Sequence, residues 1–473
     1  MMMRIFVLAL IGSIASSAVG SPPENGVPPE TEHMVRVTIR DARDLGMLAA
    51  VGANLLVCEA RAGDAPAIVD AGMLPVLEAA GLRPVVIDAA PNNTARLARE
   101  RALAALGRGD IDDWWSDYKP LDAIYAKVYE MEGRFPDLVE VFEIGRSFED
   151  RPILAMRITA PVSPDDACRP AVLLNSLTHA REWVPPMANM LVAETLITGY
   201  GNDAYITGLV DQVEWVFVPV LNPDGYEFSW TDHRFWRKNR STVSGPTGSS
   251  RVGVDINRNY GYQWGLRQGS SGSPASSTFR GPAPFSEPET RAIRDLAMSM
   301  PQLRIHNDMH SYSELVLFPW GYTPELSPEH ALHQFVGDEM ANRIAAFRGR
   351  NYEVGPIFTT IYPTSGTAND WYYGLLGVLS YTYELGARFD EEPSEMRLLV
   401  EESLPASLYH GEFVADYYRF RADMNRDCRH DFFDLNLFIG AFIDGSPDAD
   451  FDGSGDLDFL DIVEFLDYLV TNR

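Results

Sequence analysis

Short apolar runs and amphipathic stretches alternate through residues 33–90 in a pattern that predicts six elements. Residues 34–39 alternate apolar and polar side chains and predict a strand, while 44–51 have helical spacing. Residues 54–60 and 65–71 predict two further strands, 73–80 a helix and 82–87 a last strand. The order βαββαβ is that of a ferredoxin-like α+β domain, expected to span 33–92. A helical connector over 94–106 follows, and Arg96, Arg99, Arg101 and Arg108 make that region a candidate for proteolytic cleavage. From residue 112 onward, helical segments (121–134, 186–198, 287–300, 328–347) alternate with strand-like ones (171–174, 252–256, 381–385). That alternation predicts an α/β domain over 112–418, a mixed β-sheet covered by helices on both faces.

The two ends differ from this middle. One basic residue, Arg4, precedes an apolar run over 5–14 and the small residues 18–20, the pattern of a secretory signal peptide cut after Gly20. The apolar run is too short to span a bilayer, and no later stretch qualifies as a transmembrane segment. The expected location is secreted or at the cell surface. Residues 21–32 are rich in Pro and Glu and read as a lead-in.

Residues 422–473 repeat with a shift of 27: Asp423, Asp431, Phe432, Asp434 and Phe438 match Asp450, Asp458, Phe459, Asp461 and Phe465. Oxygen-bearing side chains recur at loop spacing, as Asp423, Asn425, Asp427, Asp431 and Asp434, then Asp450, Asp452, Ser454, Asp458 and Asp461. A hard cation such as calcium takes six to eight oxygens, and this spacing wraps a loop round one ion. Helical segments over 435–442 and 462–469 follow the loops. The pair resembles a dockerin, a duplicated calcium module that docks on cohesins. That resemblance implies a cohesin-like docking partner or a cell-surface scaffold. Cys428 stands where the first loop usually has glycine.

Charge and cysteine content narrow the function classes. The net charge of −28 excludes a nucleic-acid binder, which needs a basic face. Residues 422–473 hold thirteen acidic and three basic side chains, 3 − 13 = −10, so much of the excess sits in the repeat. The three cysteines, Cys58, Cys168 and Cys428, lie too far apart for a cysteine-built zinc cluster, and an odd number leaves at least one thiol unpaired.

Candidate chemistry centres on Ser176-Leu177-Thr178-His179-Ala180-Arg181-Glu182-Trp183, which follows the apolar run 171–174. An imidazole and a carboxylate three residues apart can both reach one small cation, and a catalytic zinc takes a third protein ligand and keeps one position open. Asp308-Met309-His310-Ser311-Tyr312 offers His310. Further islands are Trp236-Arg237-Lys238, Asn257-Arg258-Asn259, Thr360-Ile361-Tyr362 and Tyr381-Thr382-Tyr383-Glu384-Leu385.

In this order and spacing the islands resemble the zinc carboxypeptidase family, which includes pancreatic carboxypeptidases A and B. The resemblance implies zinc on His179, Glu182 and His310, with Glu384 as general base and Arg237 stabilising the developing oxyanion. Asn257, Arg258 and Tyr362 match the residues that clamp a terminal carboxylate; Arg181 and Tyr312 match outer subsites. It implies a cis peptide at Ser311–Tyr312, and Asn369, seven residues after Tyr362, at the floor of the side-chain pocket. A neutral residue there goes with neutral C-terminal side chains. The domain over 33–92 looks like the inhibitory pro-domain that precedes these peptidases. The implied activity is removal of C-terminal amino acids from peptides and proteins. The alternatives are a vestigial peptidase fold serving as a surface-docked binding protein, and a hydrolase of another C-terminal amide such as a murein peptide.

Overall fold

In the first strand the period-two pattern puts Val35, Val37 and Ile39 on one face and Met34 on the other, and each face finds its own partners. The structure, a computed structural model, describes residues 32–51, 53–56, 63–92, 98, 111–161, 169–243, 252–266, 268–417, 422–425, 431–451 and 454–471. The expected signal peptide, the connector over 94–106 apart from Ala98, and all three cysteines lie outside these residues. So do Asp427 and Asp452 of the repeat.

The N-terminal unit comprises β1 (Glu32–Ile39), α1 (Ala42–Ala50), β2 (Asn54–Leu55), β3 (Gly63–Asp70), α2 (Leu74–Ala79) and β4 (Val85–Asp88). Its antiparallel sheet has the order β2-β3-β1-β4. Val35, Val37, Ala67 and Val69 pack with Leu48 of α1 and Leu77 of α2. The opposite face carries Met34 and Ile68, which join Leu56 in packing against Phe235 and Phe389 of the larger domain. Fully burying a side chain such as Leu56 is worth roughly 1.5–3 kcal/mol, and its neighbours on both units share in that burial.

The larger domain runs through α3 (Leu121–Arg134), β5 (Val139–Arg146), β6 (Pro152–Ile158), β7 (Ala171–Ser176), α4 (Val184–Gly199), α5 (Ala204–Gln212) and β8 (Glu214–Val218). It continues through α6 (Pro223–Thr231), α7 (Pro288–Met298), β9 (Leu303–His310), β10 (Leu315–Phe318), α8 (His330–Arg348), β11 (Glu353–Pro356) and α9 (Ile357–Thr360). The last elements are α10 (Ala368–Leu376), β12 (Leu379–Glu384) and α11 (Pro393–Tyr417). Eight strands form one mixed sheet in the order β11-β10-β12-β9-β7-β8-β6-β5. Alternation along β7 feeds two cores: Val172 and Leu174 pack on the side of α4, α8 and α11, Ala171 and Leu173 on the side of α7 and α10. The expected mixed sheet with helices on both faces is what forms.

The strand expected over 252–256 does not. Residues 252–255 lie outside the sheet, with Gly253 at φ 83°, and Ile256 already belongs to the short helical turn Ile256–Arg258. Gly253 donates to Ser241 O, Asn239 to Val254 O, and Asp255 to Phe279 O, so loops satisfy this backbone. A buried apolar run reads as a strand whether its hydrogen bonds go to a sheet or to loops.

The C-terminal unit holds α12 (Phe432–Ile443) and α13 (Phe459–Thr471). Phe438 and Phe465, related by the shift of 27, stack on each other with ring centroids 4.0 Å apart. Asp434 and Asp461, equivalent again, are buried, and each accepts two backbone N–H groups from its own loop. Among the described residues, no helix is long and apolar enough to cross a membrane.

Candidate active site

Four neighbouring strands, β12, β9, β7 and β8, run parallel, so their carboxyl ends open on the same edge of the sheet. Open α/β sheets bind ligands in that crevice. His310 is the last residue of β9 and Glu384 the last of β12, and they face each other in register. His179 follows β7 after a turn in which buried Leu177 takes φ 54°, a left-handed conformation costly for a branched side chain. The surroundings hold it there, because Leu221 and Asn222 donate to the carbonyls of Ser176 and Leu177.

Ligand atoms of His179, Glu182 and His310 all lie within 4.8 Å of one another, and the three residues are buried. His179 Nδ1 is 2.9 Å from Glu182 Oε1, and His310 Nδ1 is 2.8 Å from Oε2. The far nitrogens face carboxylates: His179 Nε2 is 3.1 Å from Asp255 Oδ1, and His310 Nε2 is 2.8 Å from Asp308 Oδ2. A proton held at Nε2 leaves the Nδ1 lone pairs aimed at the centre, as metal-bound histidines require. Asp308 is fixed in turn by Asn175 Nδ2 and Thr178 Oγ1, which donate to its Oδ1 at 2.6 and 2.9 Å.

Electrostatics point the same way. Glu182, Asp255 and Asp308 are buried together, and Arg237 compensates part of this charge through Asp255 Oδ2 at 2.9 Å. Burial pushes the Glu182 carboxyl up, but the flanking imidazoles outweigh it and hold the group below the usual carboxylate range. Burial opposes a charge on His310, yet Asp308 and Glu182 raise it well above the usual imidazole range. The cluster is built to surround positive charge, and two nitrogens with one carboxylate form a donor set that fits zinc.

A cavity of about 290 Å³ opens from this cluster. Arg237, Asn257, Arg258, Tyr312, Tyr362, Asn369 and Glu384 line it with the three ligand candidates. Asn257 accepts from the amide of Ala368 at the start of α10, and Arg258 is held by the carbonyls of Gly269 and Asn257. Ser311–Tyr312 is cis. Arg181 is the exception: it is not in the cavity wall but lies against Phe389, its guanidinium 4.4 Å from the ring centre.

Three contributors escaped the sequence reading. Asp308 precedes His310 by two in a strand, a spacing that puts both on one face, so period two was the available signal. Asp255 is the N-cap of the turn that carries Asn257 and Arg258, and its carboxylate accepts the Asn257 amide. Leu56 lines the same cavity from the N-terminal unit, which no local pattern signals.

The model of the family described as zinc carboxypeptidase matches residues 124–406. The chain belongs to the zinc carboxypeptidase family. Within it, the chain is 35% identical to carboxypeptidase A4 of Mus musculus over 277 residues, 59% of this chain and 64% of that protein. Its match thus spans less than two thirds of that relative's length. A zinc carboxypeptidase of Simulium vittatum is 35% identical over 57% of this chain and 86% of its own. The crystal structure of thrombin activatable fibrinolysis inhibitor superposes with a TM-score of 0.74 at 25% identity, covering 82% of this chain and all of that one.

Proposed function

We propose that the protein is a secreted zinc metallocarboxypeptidase that removes C-terminal amino acids with neutral side chains. The observation that carries this reading is the convergence of His179, Glu182, His310, Arg237, Arg258 and Glu384 on one cavity. Bound to the two imidazoles and the Glu182 carboxylate, zinc would supply a Lewis acid for the scissile carbonyl and lower the pKa of water. Arg258, with Asn257 and Tyr362, receives the terminal carboxylate; a guanidinium suits this because its planar fork meets both oxygens. Arg237, held in place by Asp255, donates to the oxygen on which charge develops. Glu384 takes the proton of the attacking water and delivers it to the leaving amine. Asn369 sets the pocket floor, Tyr312 reaches an outer subsite, and Arg181 acts from behind Phe389.

The unit over 33–92 acts as an inhibitory pro-domain of ferredoxin-like topology. Its Leu56 lines the cavity, and Met34 and Ile68 pack on Phe235 and Phe389 beside Tyr312. The unit over 422–473 is a dockerin-like calcium module. Exposed Phe432 and Phe433 on α12 and their equivalents Phe459 and Leu460 on α13 present two apolar patches suited to a cohesin-like partner.

The deciding experiment pairs metal analysis with hydrolysis of a blocked dipeptide and its C-terminal amide. One tightly bound zinc per chain and, after trypsin has removed the inhibitory unit, cleavage of the free acid alone are expected. Equal cleavage of the amide contradicts the carboxylate clamp, and no cleavage of either favours the vestigial reading.

A further inference from the structure

Asn369, the second residue of α10, is 1% exposed and lies in the cavity wall with Arg258 and Tyr362. Thr382 Oγ1 donates to its Oδ1 at 3.0 Å. The other end of the amide, Nδ2, is buried and has no hydrogen-bond partner among the described residues. Thr364, 3% exposed and in the same wall, has a hydroxyl oxygen that is likewise buried and unpartnered. Leu315, Leu317 and Ile357 supply apolar surface to the same cavity.

Buried polar groups are normally paired, and an unpaired one costs stability. Among the described residues four such atoms belong to this cavity wall, Ser311 Oγ, Thr364 Oγ1, Thr367 Oγ1 and Asn369 Nδ2, and those of Thr364 and Asn369 ask for partners that arrive with a ligand.

The candidate side chains differ in how they meet this wall. An aliphatic chain seals both groups without partners. An ammonium would lose its hydration against two neutral groups and bring only donors to them. A carboxylate would lose its hydration against the same neutral groups. A carboxamide carries one acceptor for Asn369 Nδ2 and donors for Thr364 Oγ1, without charge. Turning the Asn369 amide over exchanges its two ends, and a carboxamide, having both a donor and an acceptor, pairs with either.

We infer that the pocket selects peptides ending in glutamine or asparagine, with Asn369 and Thr364 as the specificity-determining pair. The inference rests on the exopeptidase reading above.

The test is a kcat/KM series on the full-length zinc-loaded chain, before and after trypsin. Blocked glycyl dipeptides ending in Gln, Asn, Met, Leu, Glu and Lys are the probes. Gln is expected to exceed Met, its apolar match in length, and Glu, its charged match in shape, by about tenfold or more. In Asn369→Val the Gln-to-Met ratio should fall to about one or below, a ratio that loss of folded protein does not move. Met or Leu cleaved as well as Gln by the native chain overturns the carboxamide selection and leaves the peptidase reading standing. Failure to cleave any of the six overturns both.

Discussion

The Asp255 carboxylate joins His179 to Arg237: one oxygen lies 3.1 Å from His179 Nε2 and the other accepts from Arg237 Nη2 at 2.9 Å. A metal-ligand candidate and the proposed oxyanion donor are thereby set by a single buried group. Asp255→Asn keeps the shape but loses the charge that holds the proton at Nε2. Zinc affinity should fall roughly 10–100-fold, as read by competition with a chelator. kcat should fall with it even at saturating zinc, because Arg237 loses its anchor. Unchanged zinc affinity would remove Asp255 from this role.

The loop carrying Arg237 is pinned by Asn239, whose Nδ2 donates to two buried carboxylates, Glu287 at 2.8 Å and Glu289 at 3.0 Å. Burial pushes the Glu289 carboxyl up to about 7, with Glu287 adding to the rise and the amides around it opposing. The folded state therefore binds the extra proton between the unfolded value and about 7. Across that window this group's contribution to stability is lost as pH rises, and it is flat above. Urea midpoints at about pH 5 and about pH 8 should differ less in Glu289→Gln than in the native chain. An identical pH dependence in both contradicts the assignment.

His179, His310 and Glu384, which meet at the cavity, stand out in the sequence because they end strands or follow them closely. His310 and Glu384 close β9 and β12, and His179 lies three residues beyond β7, so apolar runs mark their positions. What was not legible arises from the meeting of distant segments. Residues 252–255 look like a strand, yet their backbone bonds go to Ser241, Asn239 and Phe279. Leu56 is an ordinary apolar residue until the N-terminal sheet settles on Phe235 and Phe389. The unpaired amide end of Asn369 depends on Thr382, thirteen residues away on another element.

The position of Leu56 makes regulation testable. Replacing it with Glu places a charge in an apolar contact and should loosen the N-terminal unit, raising peptidase activity of the intact chain several-fold. Limited trypsin treatment of the native chain, cutting between Arg96 and Arg108, should raise activity further. An intact chain already as active as the trimmed one removes the inhibitory role.

Calcium is expected to act on residues 422–473 alone. Carboxylates packed so densely repel one another, and cation binding offsets that repulsion while the Phe438–Phe465 stack holds the helices together. Titration of the zinc-loaded full chain should take up two further cations per chain. It should also protect the C-terminal segment from proteolysis without changing kcat/KM. No uptake at millimolar calcium returns the acidic repeat to a solubility role.

We assign Glu384 the role of base in a zinc site formed by His179, Glu182 and His310. Its most direct measurement is the zinc content of Glu384→Gln beside its single-turnover rate on a blocked dipeptide. The expected result is one zinc per chain with the chemical step slowed by at least about 10²–10⁴-fold. A variant that keeps its zinc and hydrolyses at the native rate, or one that loses the metal, contradicts the account.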